Sequence, residues 1–310
     1  MFLFECFLTV VLSLVWAVFF SAHSALVNQL GVPVVVAGFW TRVIAVSLLL
    51  LTIVIRREVR EFLRPGPLLR YALLIGAVAF CINLCSFYGV RFTTVSSGSV
   101  IYKTDILFTL IASRFLLNER MYPSDWMGTA LMVLGTIVLL WQKIVHMEPS
   151  LIGDMLFLLA ALLLTINAFI IKIKLGKMSH RVTATYNSSV TLVGFTILMA
   201  VTGHYRNGIE AFDSWERVLM ILTAGASISA LFLLYYRALG KMPFWLVRVL
   251  LLFTPLWAVV IEWVFLHKTL VRNEIAGMAV ILAGAVLIVL CHDRRRRIET
   301  EKDEPLEELP

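Results

Sequence analysis

Long apolar runs alternate with short polar breaks along this chain, and the length of the runs sets the architecture. Apolar blocks fall at 3–23, 34–55, 68–90, 95–117, 124–142, 151–173, 183–203, 215–237, 244–266 and 271–291. Each is about 20 residues long, the length at which a helix rising ~1.5 Å per residue crosses a ~30 Å hydrocarbon layer. Pro33, Pro65, Pro67, Pro123, Pro149 and Pro243 stand at or near the breaks, where a missing backbone donor costs little. The breaks are too short to hold a soluble domain. The pattern therefore predicts an all-α membrane protein of ten transmembrane helices. The first run ends in the small residues Ser21 to Ala25, as a secretory leader would, but it has no Lys or Arg ahead of Phe7 and is longer than a leader's apolar region. It reads as the first membrane helix.

An offset of 149 residues superposes Glu5 on Asp154, Phe87 on Tyr236, Gly76 on Gly225, Gly128 on Gly277 and Gly135 on Gly284. Chance would align fewer than one glycine pair. The match divides the chain into residues 1–147, residues 148–291 and a polar tail, 292–310, expected to be disordered and cytoplasmic. Each half has an odd number of crossings, so the second must run through the membrane in the opposite sense. The chain is read as two inverted five-helix repeats, an arrangement in which secondary transporters bind substrate at the repeat interface.

Composition agrees with a lipid solvent: 60% of residues are hydrophobic and 15% charged, against about 45–50% and about 25% in soluble domains. The formal charge of +7 lies in the breaks and not along a soluble face, which argues against nucleic acid. Of 27 Lys and Arg, eighteen fall on the side where the first helix starts, six on the other, and Arg42, Lys103 and Arg248 fall inside helices. Positive charge stays cytoplasmic, so both termini are expected inside an inner (plasma) membrane. Cys6, Cys81, Cys85 and Cys291 sit in or at the ends of apolar runs without His or carboxylate neighbours, and are read as packing residues.

The segments Phe39-Trp40-Thr41-Arg42, Phe87-Tyr88-Gly89-Val90-Arg91-Phe92-Thr93-Thr94, Phe115-Leu116-Leu117-Asn118-Glu119-Arg120, Tyr236-Arg237-Ala238-Leu239 and Thr254-Pro255 stand in this order, with Gly153-Asp154 opening the sixth helix. In order and spacing they resemble the drug/metabolite transporter superfamily, in particular its ten-helix EamA-type members, over residues 1–291. The resemblance implies transport of small metabolites. Two positions depart from it: Lys268 stands where such proteins usually carry Glu, and Asp105-Ile106 where an acidic residue followed by Pro is commoner.

Charged side chains inside a membrane helix cost ~2.5–3.5 kcal/mol each near its centre, so their retention calls for a reason. Arg42 and Lys103 each lie eight residues into helices entered from the same side, about 12 Å deep. Either they form a cationic site for a carboxylate or phosphate, or Arg42 packs on helix-end carbonyls and Lys103 pairs with a neighbour. Asp105, two positions beyond Lys103, points roughly 200° away on a regular helix. Either it takes the cavity, or it neutralises a base on another helix; it could also carry a coupling proton. Arg248, close to the cytoplasmic end of its helix, is also a candidate for the substrate site; it and Glu262, near the other end, could instead snorkel to the interfaces. Asn83, Asn167, Trp16, Tyr88 and Tyr236 are candidates for orienting contacts with a substrate or for interhelical contacts. Glycines 128, 135, 277 and 284 predict close packing, within one molecule or in a homodimer.

The chain has no G-x-x-x-x-G-K-[ST], H-E-x-x-H or G-x-S-x-G motif, so no ATPase or hydrolase chemistry is indicated. The expected function is a secondary transporter, an exporter or exchanger of amino acids or other small polar metabolites by alternating access. A membrane-embedded enzyme acting on lipid through Asp105 and Lys103 is the alternative. No cofactor or metal is expected. The expected partners are a small-molecule substrate, the bilayer, and a proton or counter-substrate.

Overall fold

The computed structural model describes residues 2–92, 101–145, 151–204, 208, 211–266 and 272–303. The first half holds α1 (Phe2–Ser24, prolonged by a π-helical turn Ala25–Gln29), α2 (Val34–Ile55), α3 (Leu69–Phe92), α4 (Asp105–Ile111, prolonged by a π-helical turn Ala112–Leu116) and α5 (Pro123–Leu139). The second holds α6 (Leu151–Lys174), α7 (His180–Thr202), α8 (Trp215–Lys241), α9 in two pieces (Phe244–Leu250 and Phe253–Leu266) and α10 (Arg272–Asp303). Residues 95–100, expected as the first turns of the fourth helix, and Lys268 lie outside the described residues. So does the side chain of Glu262.

α10 continues to Asp303, about three turns past the expected end, so residues 292–303 are helical where an irregular tail was expected. Arg, Glu and Lys are good helix formers, and the segment Arg294-Arg295-Arg296-Arg297-Ile298-Glu299-Thr300-Glu301 sets Arg295 and Arg297 four residues from Glu299 and Glu301. A composition of this kind extends a helix that a membrane span has already nucleated.

Most of the larger helix–helix contacts follow one rule, with the α7–α8 contact outside it. α1 packs on α8 as α6 packs on α3; α2 meets α8 as α7 meets α3; α1 meets α9 as α6 meets α4; α2 pairs with α7, and α5 with α10. Exchanging each helix with the one five places along leaves this set unchanged, as a two-fold relation between halves requires. The glycines of the repeat lie on these contacts. A Cβ on Gly76 would fall 2.4 Å from Val190 Cβ of α7, and one on its counterpart Gly225 would fall 2.5 Å from Ile44 Cβ of α2.

At the α5–α10 seam the close neighbours are backbone atoms. A Cβ on Gly135 would lie 2.9 Å from the Gly277 carbonyl oxygen, and one on Gly284 would lie 2.7 Å from the Gly128 oxygen. In lipid, apolar side chains gain nothing by leaving the solvent, so close backbone approach and dispersion hold helices together. The seven-residue glycine period is thus used within one molecule.

Three ion pairs join the halves on the face where α1 begins: Glu5 to Arg237 at 2.8 Å, Glu119 to Lys172 at 2.9 Å, and Glu58 to Arg181. Glu119 also accepts the Phe244 backbone N–H at 2.8 Å, which satisfies a donor left free at the start of α9. Glu58 and Glu61 hold Ser179 at the start of α7, and the Tyr186 hydroxyl donates to the Phe62 carbonyl at 2.6 Å. On the opposite face the described bonds between halves run to backbone carbonyls, from Trp40 to Gly208 and from Arg217 to Leu30.

Candidate functional site

α9 is broken within its span, and the chain turns at the equivalent place ahead of α4. In α9 the ring of Pro255 removes a donor and crowds the carbonyl of Leu251 four residues back. The chain turns at Leu251-Leu252, with tight bonds from Leu252 N to Val249 O at 2.9 Å and from Thr254 N to Leu251 O at 3.0 Å. Ahead of α4 the chain turns at Lys103-Thr104, where the Thr104 hydroxyl bonds the Ile101 carbonyl at 2.7 Å. Lys103 and Leu252 are 149 residues apart, the repeat offset. Broken helices facing each other across a repeat interface leave polar backbone and charge where a ligand can use them.

The two breaks bring Asp105 to Arg248. Nη1 of Arg248 donates to Asp105 Oδ2 at 3.1 Å, and Nη2 donates to the Leu164 carbonyl of α6 at 3.1 Å. The guanidinium carbon lies 5.2 Å from the Tyr235 ring centroid of α8. The Arg248 side chain is 1% exposed and that of Asp105 13%. Of the readings open for Asp105, neutralising a base on another helix is the one this geometry supports. Arg248 does not snorkel: the first piece of α9 is buried on every side, and the carboxylate holds the guanidinium inward. Lys103 is half-buried and within electrostatic reach of both Asp105 and Arg248. The backbone between Lys103 and Asp105 is a turn and not the regular helix on which the 200° separation was reckoned.

A row of rings joins this cluster to Arg42. The Tyr235 and Tyr236 centroids are 5.6 Å apart, Tyr236 stacks on Phe232 at 5.5 Å, and the Arg42 guanidinium lies 5.3 Å from the Phe232 centroid. Trp16 meets Tyr235 edge-on at 6.1 Å. The structure thus gathers Lys103, Asp105, Arg248, Tyr236, Arg42 and Trp16 from α1, α2, α4, α8 and α9.

The other candidates go elsewhere. Asn83 donates to Ala79 of its own helix at 2.6 Å, and Asn167 spends its amide on the Ile75 carbonyl of α3 at 2.6 Å, an interhelical contact. Tyr88 is on the exposed surface of α3. Sequence reading missed Tyr102, within electrostatic reach of Asp105 and Arg248, and Tyr235, the Arg248 neighbour. It also missed Phe232 and Asn187, which sits beside the Tyr236 hydroxyl. Adjacency to Lys103 and Tyr236 was the available signal for the two tyrosines. Phe232 lies one turn before Tyr236 on the same face of α8.

Comparison with known proteins supports the same architecture. The EamA-like transporter family matches twice, over residues 3–141 and 151–290. The uncharacterized transporter YoaV of Bacillus subtilis is 24% identical over 211 residues, 67% of this chain and 71% of that one. A "Probable amino-acid metabolite efflux pump" of Salmonella typhimurium is 23% identical over 236 residues, 74% of this chain and 78% of that one. One solved crystal structure superposes with a TM-score of 0.77 over 93% of this chain and 97% of its own, at 16% identity, and shares the fold. With both halves matched and the central charges held between them, the chain is a multi-pass membrane protein that belongs to the EamA-like transporter family.

Proposed function

We propose that this transporter is an exporter or exchanger of amino acids or other small polar metabolites, working by alternating access between its two halves without catalysing a covalent reaction. The observation that carries this reading is the Asp105–Arg248 pair between the break in α9 and the turn ahead of α4, in opposite halves, with Lys103 in reach of both. Fixed charge of both signs beside helix breaks suits a small ligand with charged ends. The name of the Salmonella relative points to the same class. Asp105 is the group to which proton coupling is assigned. The face bearing Arg56, Arg60, Lys172, Lys177 and Lys241 is cytoplasmic on this account, with both termini on it, in a plasma membrane. The exposed apolar side chains of α5 and α10, Trp126, Leu134, Leu282 and Val286 among them, meet lipid.

Proteoliposomes loaded with single amino acids and organic acids test this directly. Protein-dependent, saturable efflux of a charged metabolite is expected, with exchange when a counter-substrate is outside. Absence of flux for every solute, with turnover of a lipid headgroup, would replace this reading with the enzyme.

A further inference from the structure

Arg42 is a buried cation for which the protein supplies no anion among the described residues. It is 5% exposed, and its Nη1 has no hydrogen-bond partner. Described carboxylates are engaged elsewhere: Asp105 by Arg248, Glu5 by Arg237, Glu119 by Lys172, Glu58 by Arg181, and the buried Asp125 by the Tyr122 backbone N–H. The electrostatic neighbours of Arg42 are His23 and Tyr236, neither of which brings a negative charge at neutral pH. The face of Phe232, 5.3 Å away, offsets only part of the cost of holding a cation in a membrane helix and brings no counter-charge. Retention of this side chain is explained if an anion from outside the chain meets it.

The surroundings specify what else that anion carries. Phe232 and Trp16 are half-buried and keep ring surface uncovered, and the buried Tyr236 and Tyr235 join them in a row of rings that runs from the guanidinium toward Arg248. An inorganic ion would leave this surface unused. A ligand with one charged end and an apolar body would cover it.

Resting on the transport reading and deepening it, we propose that Arg42, Phe232 and Tyr236 form an anion subsite that takes the carboxylate of a substrate whose apolar body lies along the Tyr236–Tyr235–Trp16 rings. It is separate from the Asp105–Arg248 pair, which addresses the rest of the molecule.

The test is thermal stabilisation of the purified full-length protein in detergent, with phenylacetate, its neutral amide phenylacetamide, and succinate as probes. Phenylacetate is expected to raise the melting temperature of the parent with saturation, and the amide and succinate to do so only at far higher concentration. Arg42→Gln should weaken the phenylacetate response about tenfold or more, and Arg42→Lys should keep part of it. Without probe, Arg42→Gln should melt no lower than the parent, whereas an arginine with a structural partner would leave a less stable protein. If Arg42→Gln does not fold, Arg42→Lys decides alone: a phenylacetate response equal to the parent's overturns the subsite. A parent that responds equally to the acid and its amide, or to succinate as strongly as to phenylacetate, overturns it too. Because binding is read without flux, an Arg42-dependent response in a protein that moves no solute would keep the subsite and remove the transport reading. Flux with an Arg42-independent response would do the reverse.

Discussion

The interior charges of this protein are few, and each has a specific geometry. Arg248 and Asp105 satisfy one another inside the membrane, and removing one member of a buried pair typically costs 3–5 kcal/mol because the other is left uncompensated. Arg248→Met and Asp105→Asn should each lower the melting temperature or the amount of folded protein. The double variant Asp105→Asn/Arg248→Met should recover stability, yet still fail to transport. A double variant as unstable as the worse single, in the same thermal melts, would mean that the residues act separately. Lys103 differs: it makes no described ion pair and sits in a turn. Lys103→Met should insert as well as the parent while flux of anionic or zwitterionic substrates falls sharply, and equal flux at matched protein levels would assign this lysine a structural role. The sequence made the four central charges visible through the cost of burying them. It concealed which partner each takes, since pairing joins residues 143 positions apart. Tyr88 shared the residue chemistry of a site but lies on the exposed surface of its helix, and Asn83 donates within its own helix, neither of which an unaligned sequence can reveal.

At the scale of helices, the glycines carried most of the legible information. Their seven-residue period announced close packing on the fifth and tenth helices, and the structure uses it within one molecule, backbone against backbone. Gly135→Leu must displace Ile281 and the Gly277 carbonyl. Overpacking of this kind typically costs about 1–3 kcal/mol, so thermal melts in detergent should show a clear drop, while Gly240→Ala, with open space around it, should change little. The helix breaks were less legible. Pro255 marks the one in α9, and the sequence carries it. The turn at Lys103-Thr104 has neither Gly nor Pro, and depends on a threonine hydroxyl competing for a backbone carbonyl and on packing against α6 and α9, so a uniform helix was the natural expectation. The extension of α10 to Asp303 was hidden for the opposite reason: a charged composition resembles a disordered tail, although arginine and glutamate also extend a helix already nucleated.

For the molecule as a whole, hydropathy, the odd count of crossings and the 149-residue offset together implied two inverted halves, and the exchange symmetry of the helix contacts and the two family matches agree. Orientation rests on charge. Reporter fusions at Pro310 and near Gly208 should report opposite compartments, with Pro310 cytoplasmic; one compartment for both would remove the ten-helix topology. Pairing between the halves is asymmetric: the three peripheral ion pairs described lie on the cytoplasmic face of this account, and the described contacts across the other face run to backbone carbonyls. Opening toward the cytoplasm therefore requires those pairs to separate while the central one is reached from that side. The most direct measurement of alternating access replaces the native cysteines and puts thiols at Glu58 and Arg181, joined by a short cleavable cross-linker in proteoliposomes. The account predicts that cross-linking stops substrate flux and that cleavage restores it to the level of the uncross-linked variant, with either thiol alone unaffected. Undiminished flux through fully cross-linked protein would contradict it.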